Sequence, residues 1–349
     1  EEGSPMIAPG ASTRIAFTPQ PAGFRWFHTH TFAGSDLHKG LYSGRYGFLM
    51  IDSREAGPAF DREFFLALHD WDGEMLASDD GSMMPSYGFS TVNGRMLGSG
   101  EPLRVRQGER VLFHILNASP TEVHWLTLAG HSFQVIGLDG NKIASPRATP
   151  MLRLAPAERV SAIVEMSTPG VWVLGEVRKH IQAAGMGIVV EYANAAGAPK
   201  WIQPQELLWN YADFADNSAP SAAPSSTVIE IPLTFDSHFE GHGAPERWRI
   251  NGRSWPDTDS PILHAGRRYR LVMKNLSADD HPVHLHRHNF EVVNLGGAAM
   301  RGLFKDVVLI PAKSTSAVEF VANQPGNTLF HCHQQDHMDR GFMMVFRYA

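Results

Sequence analysis

Apolar positions are grouped along this chain in short runs rich in β-branched and aromatic residues, and Gly, Pro and Asn separate the runs. Short runs of this composition are typical of β-strands. The stretches of this kind lie at 110–116, 133–138, 159–165, 269–274, 291–294, 317–321 and 342–348. We therefore predict an all-β protein built from sandwiches or barrels.

Two long stretches follow one plan, which indicates a duplicated domain. Residues 92–119 and 250–277 each give a strand, a Gly turn, a second strand and an Asn-containing turn. Each copy continues to a late strand that is entered through Pro-Gly, at 167–177 and at 323–333. Residues 19–30 repeat that ending a third time.

The repeat divides the chain into three units, with boundaries near 56 and 200. We predict that residues 1–55 are the C-terminal part of a first domain, 56–200 a second domain and 201–349 a third. A segment rich in Ala, Pro and Ser, about 193–227, is predicted to be a linker. The first unit has room for about four strands, too few to cover a sandwich. We therefore expect upstream sequence or a partner chain to complete it.

Composition excludes several classes of function. Apolar residues make up 43% of the 349 residues and charged residues 19%. The sequence contains no run of eighteen apolar residues, which is about the length that a membrane-spanning helix needs. The net charge is -6, and Lys and Arg are scattered singly, so we expect no nucleic-acid surface. The single cysteine excludes an internal disulfide and points to a chemical role for this residue.

Histidine is abundant, at 18 residues, and half of them lie in three tight clusters. Such clustering is typical of metal-binding proteins. The clusters are His28 and His30; His281, His284, His286 and His288; and His331, His333 and His337.

The only cysteine, Cys332, has a histidine on each side and a further one, His337, five residues later. A thiolate with two imidazoles is the ligand set of a blue copper site. Cys332 and His337 can supply two of these ligands. His281, at the head of a neighbouring predicted strand, is the candidate for the third.

Strand alternation turns the neighbours of Cys332 away from its sulfur, so His331 and His333 can bind only a second centre behind the strand. The further imidazoles that can face this second centre are His28, His30, His284 and His286. His288 lies past it, and we expect no ligand there. Reducing O2 to water takes four electrons and a blue copper stores one, so a cluster of three further coppers would hold the rest.

These motifs resemble the signatures of multicopper oxidases, the family that includes laccases, ascorbate oxidase and bacterial metallo-oxidases. They are HPVHLHRHNF at 281–290 and HCHQQDHMDRGF at 331–342, with FRWFHTH and ERVLFHILNAS upstream. The resemblance extends over nearly the whole chain. It implies consecutive cupredoxin-like Greek-key β-sandwich domains and four copper ions in the complete protein.

The resemblance also implies a role for each ligand. His281, Cys332 and His337 would bind the type 1 copper, His284 the type 2 copper, and His28, His30, His286, His331 and His333 the type 3 pair. Phe342 takes the axial position of the type 1 copper. Because a phenyl ring cannot ligate, we expect a three-coordinate site of higher potential than a Met-ligated one, unless a bulge brings in Met343.

The family has a further His-x-His in its first domain, which this sequence does not contain. It would add one type 2 and one type 3 ligand. We expect that pair to lie on sequence upstream of Glu1 or on a neighbouring subunit.

The activity implied by the resemblance is that of a laccase-like oxidase. Phenolic or similar donors would give single electrons at His337 and Cys332, and O2 would become water at the trinuclear cluster. Two alternatives stay open: a metallo-oxidase for Cu(I), Mn(II) or Fe(II), and a non-catalytic copper-binding or structural cupredoxin. Copper nitrite reductase is disfavoured, because it has no use for histidine on both sides of the cysteine.

Asp336, beside His337, is a candidate proton relay, although it could equally be a solvated charge at a loop end. The resemblance and the toxicity of copper in the cytosol lead us to expect a periplasmic or secreted protein.

Overall fold

The computed structural model describes residues 7–77, 83–216, 218, 228–239 and 246–349, and its regular structure is almost entirely β, as predicted. The strands are β1 (Gly23–His28), β2 (Tyr46–Ile51), β3 (Arg62–Ala77), β4 (Met83–Val92), β5 (Leu103–Val105), β6 (Arg110–Asn117), β7 (His124–Leu128), β8 (Phe133–Leu138), β9 (Asn141–Thr149), β10 (Met151–Leu154), β11 (Arg159–Glu165), β12 (Val171–Glu176), β13 (Gly187–Tyr192), β14 (Ile229–Phe239), β15 (Glu246–Ile250), β16 (Ile262–Leu263), β17 (Arg268–Asn275), β18 (His281–Leu285), β19 (Phe290–Leu295), β20 (Ala298–Ala299), β21 (Phe304–Lys305), β22 (Val307–Ile310), β23 (Thr315–Val321), β24 (Thr328–Cys332) and β25 (Met343–Tyr348).

Helical structure is confined to short pieces in the described residues. They are α1 (Lys179–Ala183), α2 (Gln335–Asp339) and the 3-10 turns Gly40–Ser43 and Tyr211–Phe214. Both α-helices have five residues. Among the described residues, no helix has the length and hydrophobicity that crossing a membrane requires.

The first unit contains one antiparallel pair, β1 with β2. Phe24 of β1 packs against Phe48 of β2 and Phe65 of β3, so this hairpin shares its apolar core with the second unit. The prediction of about four strands here is wrong for the described residues, because 7–22 form no strand. That segment contains three prolines, which lack the N–H donor that strand pairing needs.

The second unit is a sandwich of two sheets. One has the strand order β4-β3-β6-β11-β8-β9 and the other β10-β7-β12-β13-β5. Neighbouring strands are often not consecutive in the chain, and two pairs, β3 with β6 and β5 with β13, run parallel. Crossing connections of this kind are typical of Greek-key sandwiches.

The third unit repeats this arrangement strand for strand. Its sheets have the orders β15-β14-β17-β23-β19-β20, with β21 also paired to β19, and β16-β25-β24-β18-β22. Along β17, Tyr269, Leu271 and Met273 are buried, whereas the residues between them are more exposed, which is the period of two expected for a sandwich strand. The duplicated plan of the sequence is therefore reproduced in the topology.

Strand pairing in the third unit brings its two histidine motifs together. β24 lies between β18 and β25, and the register places His284 opposite His331 and Val283 opposite Cys332. α2 follows β24 after two residues and carries His337. Two separate stretches of sequence therefore meet at the end of one sheet.

The described part of the predicted linker packs on the second unit. Tyr211 donates a hydrogen bond to the carboxylate of Glu158 at 2.5 Å, and Phe214 is buried in the shared core. Residues 217 and 219–227 of this linker lie outside the described residues. The predicted boundaries near 56 and 200 both fall between strands.

Candidate metal centres

The thiol of Cys332 lies in a buried cluster with two imidazoles. Its Sγ is 3.5 Å from Nδ1 of His337 and 3.7 Å from Nδ1 of His281, and these two nitrogens are 3.2 Å apart. Nε2 of His281 is hydrogen-bonded to Ser277 Oγ at 2.8 Å, which turns Nδ1 of that ring towards the sulfur. The three residues predicted for the first centre therefore converge on one point.

His331 belongs to a group of three imidazoles on the other side of β24. Its Nε2 is 3.2 Å from Nε2 of His286. The ring of His30 lies 5.0 Å from that of His286 and 5.4 Å from that of His331, measured between centroids. One nitrogen of each ring lies within 4.8 Å of the others, so all three can reach a single ion.

His333 and His28 form an imidazole pair beside this group, with their Nε2 atoms 3.3 Å apart. The ring of His284 lies 5.7 Å from that of His331 and 6.1 Å from that of His333. All six imidazoles predicted for the second centre therefore lie together, away from the sulfur of Cys332.

Backbone carbonyl groups determine which nitrogen three of these rings present. Nδ1 of His28 lies 2.9 Å from the carbonyl oxygen of Thr29, Nδ1 of His284 2.6 Å from that of Asp306, and Nδ1 of His331 2.8 Å from that of Cys332. Because a carbonyl oxygen only accepts, each Nδ1 carries the hydrogen and each Nε2 keeps a free lone pair. Metal-binding histidines are oriented by hydrogen bonds of this kind.

The spacing of the free nitrogens suits shared metal ions. Two imidazole nitrogens, each about 2 Å from one ion at a roughly tetrahedral angle, lie about 3.3 Å apart. The two closest Nε2 pairs are separated by 3.2 and 3.3 Å. A thiolate with two imidazoles suits copper, and imidazole groups suit copper as well.

Comparisons with known proteins agree with this donor set. Two family models, both described as multicopper oxidase, match residues 63–191 and 226–349, which together make up well over half of the chain. The chain belongs to the multicopper oxidase family. It is thus a copper-dependent oxidoreductase that uses O2 and an electron donor, as predicted.

Relatives of this multicopper oxidase cover nearly all of its length. Multicopper oxidase MmcO of Mycobacterium tuberculosis is 24% identical over 380 residues, which are 98% of this chain and 72% of that protein. A laccase of Phlebia radiata is 25% identical over 398 residues, 97% of this chain and 73% of its own.

Solved structures of the family share the fold. A laccase from Botrytis aclada has a TM-score of 0.74 at 20% identity and covers 93% of this chain and 70% of its own. Fet3p, described as a multicopper oxidase that functions in iron import, has a TM-score of 0.74 at 18% identity, with 94% and 72% covered. The predicted cupredoxin-like fold class is confirmed.

Burial favours the neutral form of two of these imidazoles in particular. It lowers the pKa of His281 to about 3 and, with repulsion from His30, that of His28 to about 3. A neutral imidazole is the form that binds a metal. Burial also raises the pKa of the Cys332 thiol, so a thiolate at neutral pH requires a nearby positive charge such as a bound metal ion.

Aromatic rings pack against both centres, and two of them carry no signal in the sequence. Trp248, which is 1% exposed, lies 4.2 Å from the ring of His337, and Trp26 lies 4.3 Å from that of His28. Phe342 is buried 4.7 Å from the ring of His281, on the side of the Cys332 cluster. β25 pairs regularly with β24 from Met343 onward, so the alternative of a bulge that brings Met343 to the sulfur is wrong.

A buried ionic group behind His284 was also missed from the sequence. The carboxylate of Asp306, whose carbonyl oxygen orients His284, accepts two hydrogen bonds from Arg159 at 2.7 Å each and one from Arg25 at 3.3 Å. Each of the three charged residues comes from a different unit. They are too distant in sequence for pattern reasoning, and the one local signal is a Lys305–Asp306 charge pair between apolar runs.

Asp336 lies on α2, where its carboxylate is 3.0 Å from Nε of Arg340. Burial raises the pKa of Asp336 to about 6, although Arg340 opposes this shift. The predicted relay role of Asp336 stays a prediction, and this position would serve the Cys332 side of the strand. His288, expected not to be a ligand, has its Nε2 hydrogen-bonded to the hydroxyl of Tyr348 at 2.7 Å.

We expect the metal-free protein to lose thermal stability as the pH falls from about 6.5 towards 3. The unfolded His281 titrates at its ordinary pKa of 6.5, whereas the folded residue titrates at about 3. Protons therefore bind the unfolded chain first in this window, and the stability present above pH 6.5 is lost below it. Melting temperatures of chelator-treated protein against pH measure the loss.

The variant His281→Leu should show a shallower decline, whereas His38→Leu, at an exposed position, should keep the wild-type profile. Equal declines in melting temperature in all three proteins would contradict the assignment of the acid-induced loss of stability to His281.

Proposed function

We propose that this multicopper oxidase takes single electrons from phenolic or similar organic donors at a type 1 copper and reduces O2 to water at a trinuclear cluster. The proposed ligands are His281, Cys332 and His337 for type 1, His284 for type 2, and His28, His30, His286, His331 and His333 for type 3. Copper bound by these residues supplies the one-electron redox chemistry. The chain itself orients the imidazoles and excludes water.

The position of Cys332 between the two groups of imidazoles carries this proposal. Its sulfur faces His281 and His337, whereas the ring of the preceding residue, His331, faces the other group. The peptide unit between these two residues is a short covalent path from one group to the other. The hydrogen bond from Nδ1 of His331 to the carbonyl oxygen of Cys332, at 2.8 Å, adds a second connection.

The surroundings of His337 favour an organic donor over a metal ion. His337 keeps 8% of its surface exposed, whereas Trp248, which packs on its ring, is 1% exposed, so the edge of the imidazole is the part that a donor can reach. The adjacent carboxylate, Asp336, is already paired with Arg340, and a paired carboxylate attracts a cation weakly. Several relatives are named laccase, whereas Fet3p functions in iron import, which keeps the metallo-oxidase as the second candidate.

Oxygen uptake with different donors tests the proposal. A substituted phenol should give a higher kcat/KM than Cu(I), Fe(II) or Mn(II), and Cys332→Ser should abolish turnover. Thr328→Ser, a buried change on the same strand, is the matched control and should keep it. Faster oxidation of one of the ions would favour the metallo-oxidase, and copper binding without uptake would indicate a non-catalytic cupredoxin.

Two further ligands and the location of the protein are also proposed. In the described residues, His284 is the sole imidazole assigned to the type 2 copper, and His28 and His333 form a pair. A His-x-His from a segment or subunit outside the described residues would complete both sets. A periplasmic or secreted location would keep the copper out of the cytosol.

Replacing Phe342 by Met should lower the reduction potential of the type 1 copper, because a thioether can ligate at the axial position and a phenyl ring cannot. A redox titration of the blue absorption measures the change. Phe346→Met, at an equally buried position of β25, should leave the potential unchanged. An unchanged potential in Phe342→Met would show that residue 342 is not axial.

Replacing Asp306 by Asn should weaken the type 2 copper and spare the type 1 copper. Breaking a buried ion pair costs about 3–5 kcal/mol. Here it leaves Arg159 with the more distant carboxylate of Asp139, at 3.8 Å, beside the carbonyl group that orients His284. Copper content and the type 2 EPR signal should fall, while the blue absorption persists.

Glu319→Gln is the matched control for this change. Glu319 is held by Arg268 and Arg270, at 2.6 and 2.5 Å, in the sheet of the third unit that does not contain His284. Removing the charge of the Glu319 carboxylate should destabilise the fold without removing the type 2 EPR signal. A full type 2 signal in Asp306→Asn would contradict the role of this carboxylate.

A further inference from the structure

The second unit reproduces the backbone of the Cys332 site bond for bond. In the third unit, the N–H of Cys332 donates to the carbonyl of Phe342, at 3.1 Å, and the N–H of Phe342 donates to the carbonyl of His337, at 3.0 Å. In the second unit, Glu176 donates to Met186 at 3.2 Å, and Met186 donates to Ile181 at 3.1 Å. The short helices α1 and α2 follow the corresponding strands, β12 and β24.

These equivalent bonds align the side chains of the two sites. Glu176 stands in the place of Cys332, and Ile181 in the place of His337. His124, the first residue of β7, stands in the place of His281, the first residue of β18. One imidazole is therefore retained in the second unit, whereas the thiol is replaced by a carboxylate and the second imidazole by an alkyl group.

The retained imidazole lies between two carboxylates. Nδ1 of His124 is 3.1 Å from Glu176, the same ring nitrogen that faces the sulfur in the third unit, and Nε2 is 2.9 Å from Asp70 of β3. All three side chains are buried, at 0–1% exposure. Since a carboxylate accepts hydrogen bonds, both ring nitrogens carry hydrogens, and the ring is an imidazolium.

Other groups complete the surroundings of this cluster. Asp70 accepts a hydrogen bond from Ser90 on β4, at 2.5 Å, and Glu176 accepts from Nε of Arg178, at 3.1 Å. Arg178 also pairs with Glu122, and His69 lies beside Asp70 on the same strand. Two cations, His124 and Arg178, therefore face the three carboxylates.

We propose that Asp70, His124 and Glu176 form a metal-free counterpart of the Cys332 site, in which an imidazolium takes the place that copper takes in the third unit. The carboxylates lie on opposite edges of the ring, so an ion bound at one nitrogen would meet only one of them. The cluster joins the two sheets, because Asp70 lies in one and His124 and Glu176 lie in the other. The second unit thus keeps the strand positions and backbone bonds of the site, with a hydrogen-bonded charge cluster where the third unit has its proposed ligands.

The charges of the cluster predict a signature in alkali. Burial would lower the pKa of His124, but Asp70 and Glu176 raise it to about 10. The unfolded residue titrates near 6.5, so the stability that this group contributes is fully present below pH 6.5 and is lost as the pH rises through about 10. Burial opposes ionisation of Asp70 and Glu176, but His124 holds the pKa of each carboxylate at about 2.

Restoring the missing ligands tests whether the architecture is that of a metal site. The double change Glu176→Cys and Ile181→His is made in a Cys332→Ser background, where the third unit lacks its thiolate. Addition of Cu(II), or of Co(II) as a second probe, should produce a thiolate charge-transfer band that the Cys332→Ser parent lacks. A variant that folds, by circular dichroism and melting, but shows no band with either ion would overturn the proposal.

The charge state of the wild-type cluster is tested separately. The melting temperature of the wild type should fall between pH 8 and 10 more steeply than that of Glu176→Gln, whereas Glu319→Gln should keep the wild-type slope. In addition, ¹⁵N spectra of histidine-labelled wild-type protein at pH 8.5 should contain one imidazole with both nitrogens protonated. Equal slopes, or no such imidazole among the 18 histidines, would overturn the proposal.

The comparison rests on the proposed type 1 ligands, and the two can fail separately. A copper-loaded wild type without a blue band would refute the proposed function, whatever the second unit binds. A blue wild type with a neutral His124 would refute the imidazolium alone.

Discussion

Successive side chains of a β-strand point to opposite faces. At 331–333 this geometry directs the thiol of Cys332 to one face and the imidazoles of His331 and His333 to the other, so the thiol and these imidazoles cannot bind the same ion. The rest of the site depends on it. β18 has to pair with β24 in the register that brings His281 to the sulfur and His284 and His286 to the other face. The helix α2 begins only two residues after the strand, and this short connection lets His337 turn back to Cys332.

Burial of so many titratable groups is tolerated in two physically different ways. Two imidazoles of the proposed metal centres are kept neutral: burial lowers the pKa of His281, and burial together with repulsion from His30 lowers that of His28. The ionic groups behind them are instead kept charged and paired, as in the bidentate contact between Arg159 and Asp306. His124 belongs to this second class, although its position in the fold corresponds to that of His281.

The short β-type runs, the duplicated plan and the histidine spacing were sufficient to predict the all-β fold and to sort the imidazoles onto two faces. These features depend on residues close together in the chain. The Asp306 group could not be predicted, because Arg25, Arg159 and Asp306 meet only after three units have packed. The role of Trp248 could not be predicted for the same reason, since its contact with His337 follows from the pairing of strands that are far apart in the sequence.

The predicted number of strands in the first unit was wrong because it was inferred from the length of the segment. Whether a segment forms a strand depends instead on a neighbouring strand with which it can pair. Residues 7–22 are long enough for a strand but are rich in proline and have no neighbour that pairs with them. By contrast, the repeat could have revealed the His124 cluster from sequence alone. Aligning the two Pro-Gly endings puts Glu176 opposite Cys332, and a carboxylate at a thiolate position is itself a signal.

The central claim is that Cys332 stands between two copper centres. It is tested most directly by the copper content of the purified protein together with its visible and EPR spectra. The account predicts an intense blue band from the copper–thiolate group and, in the same molecules, copper beyond one ion per chain with a type 2 signal. A single copper with the blue spectrum alone, or copper without a blue band, would contradict it.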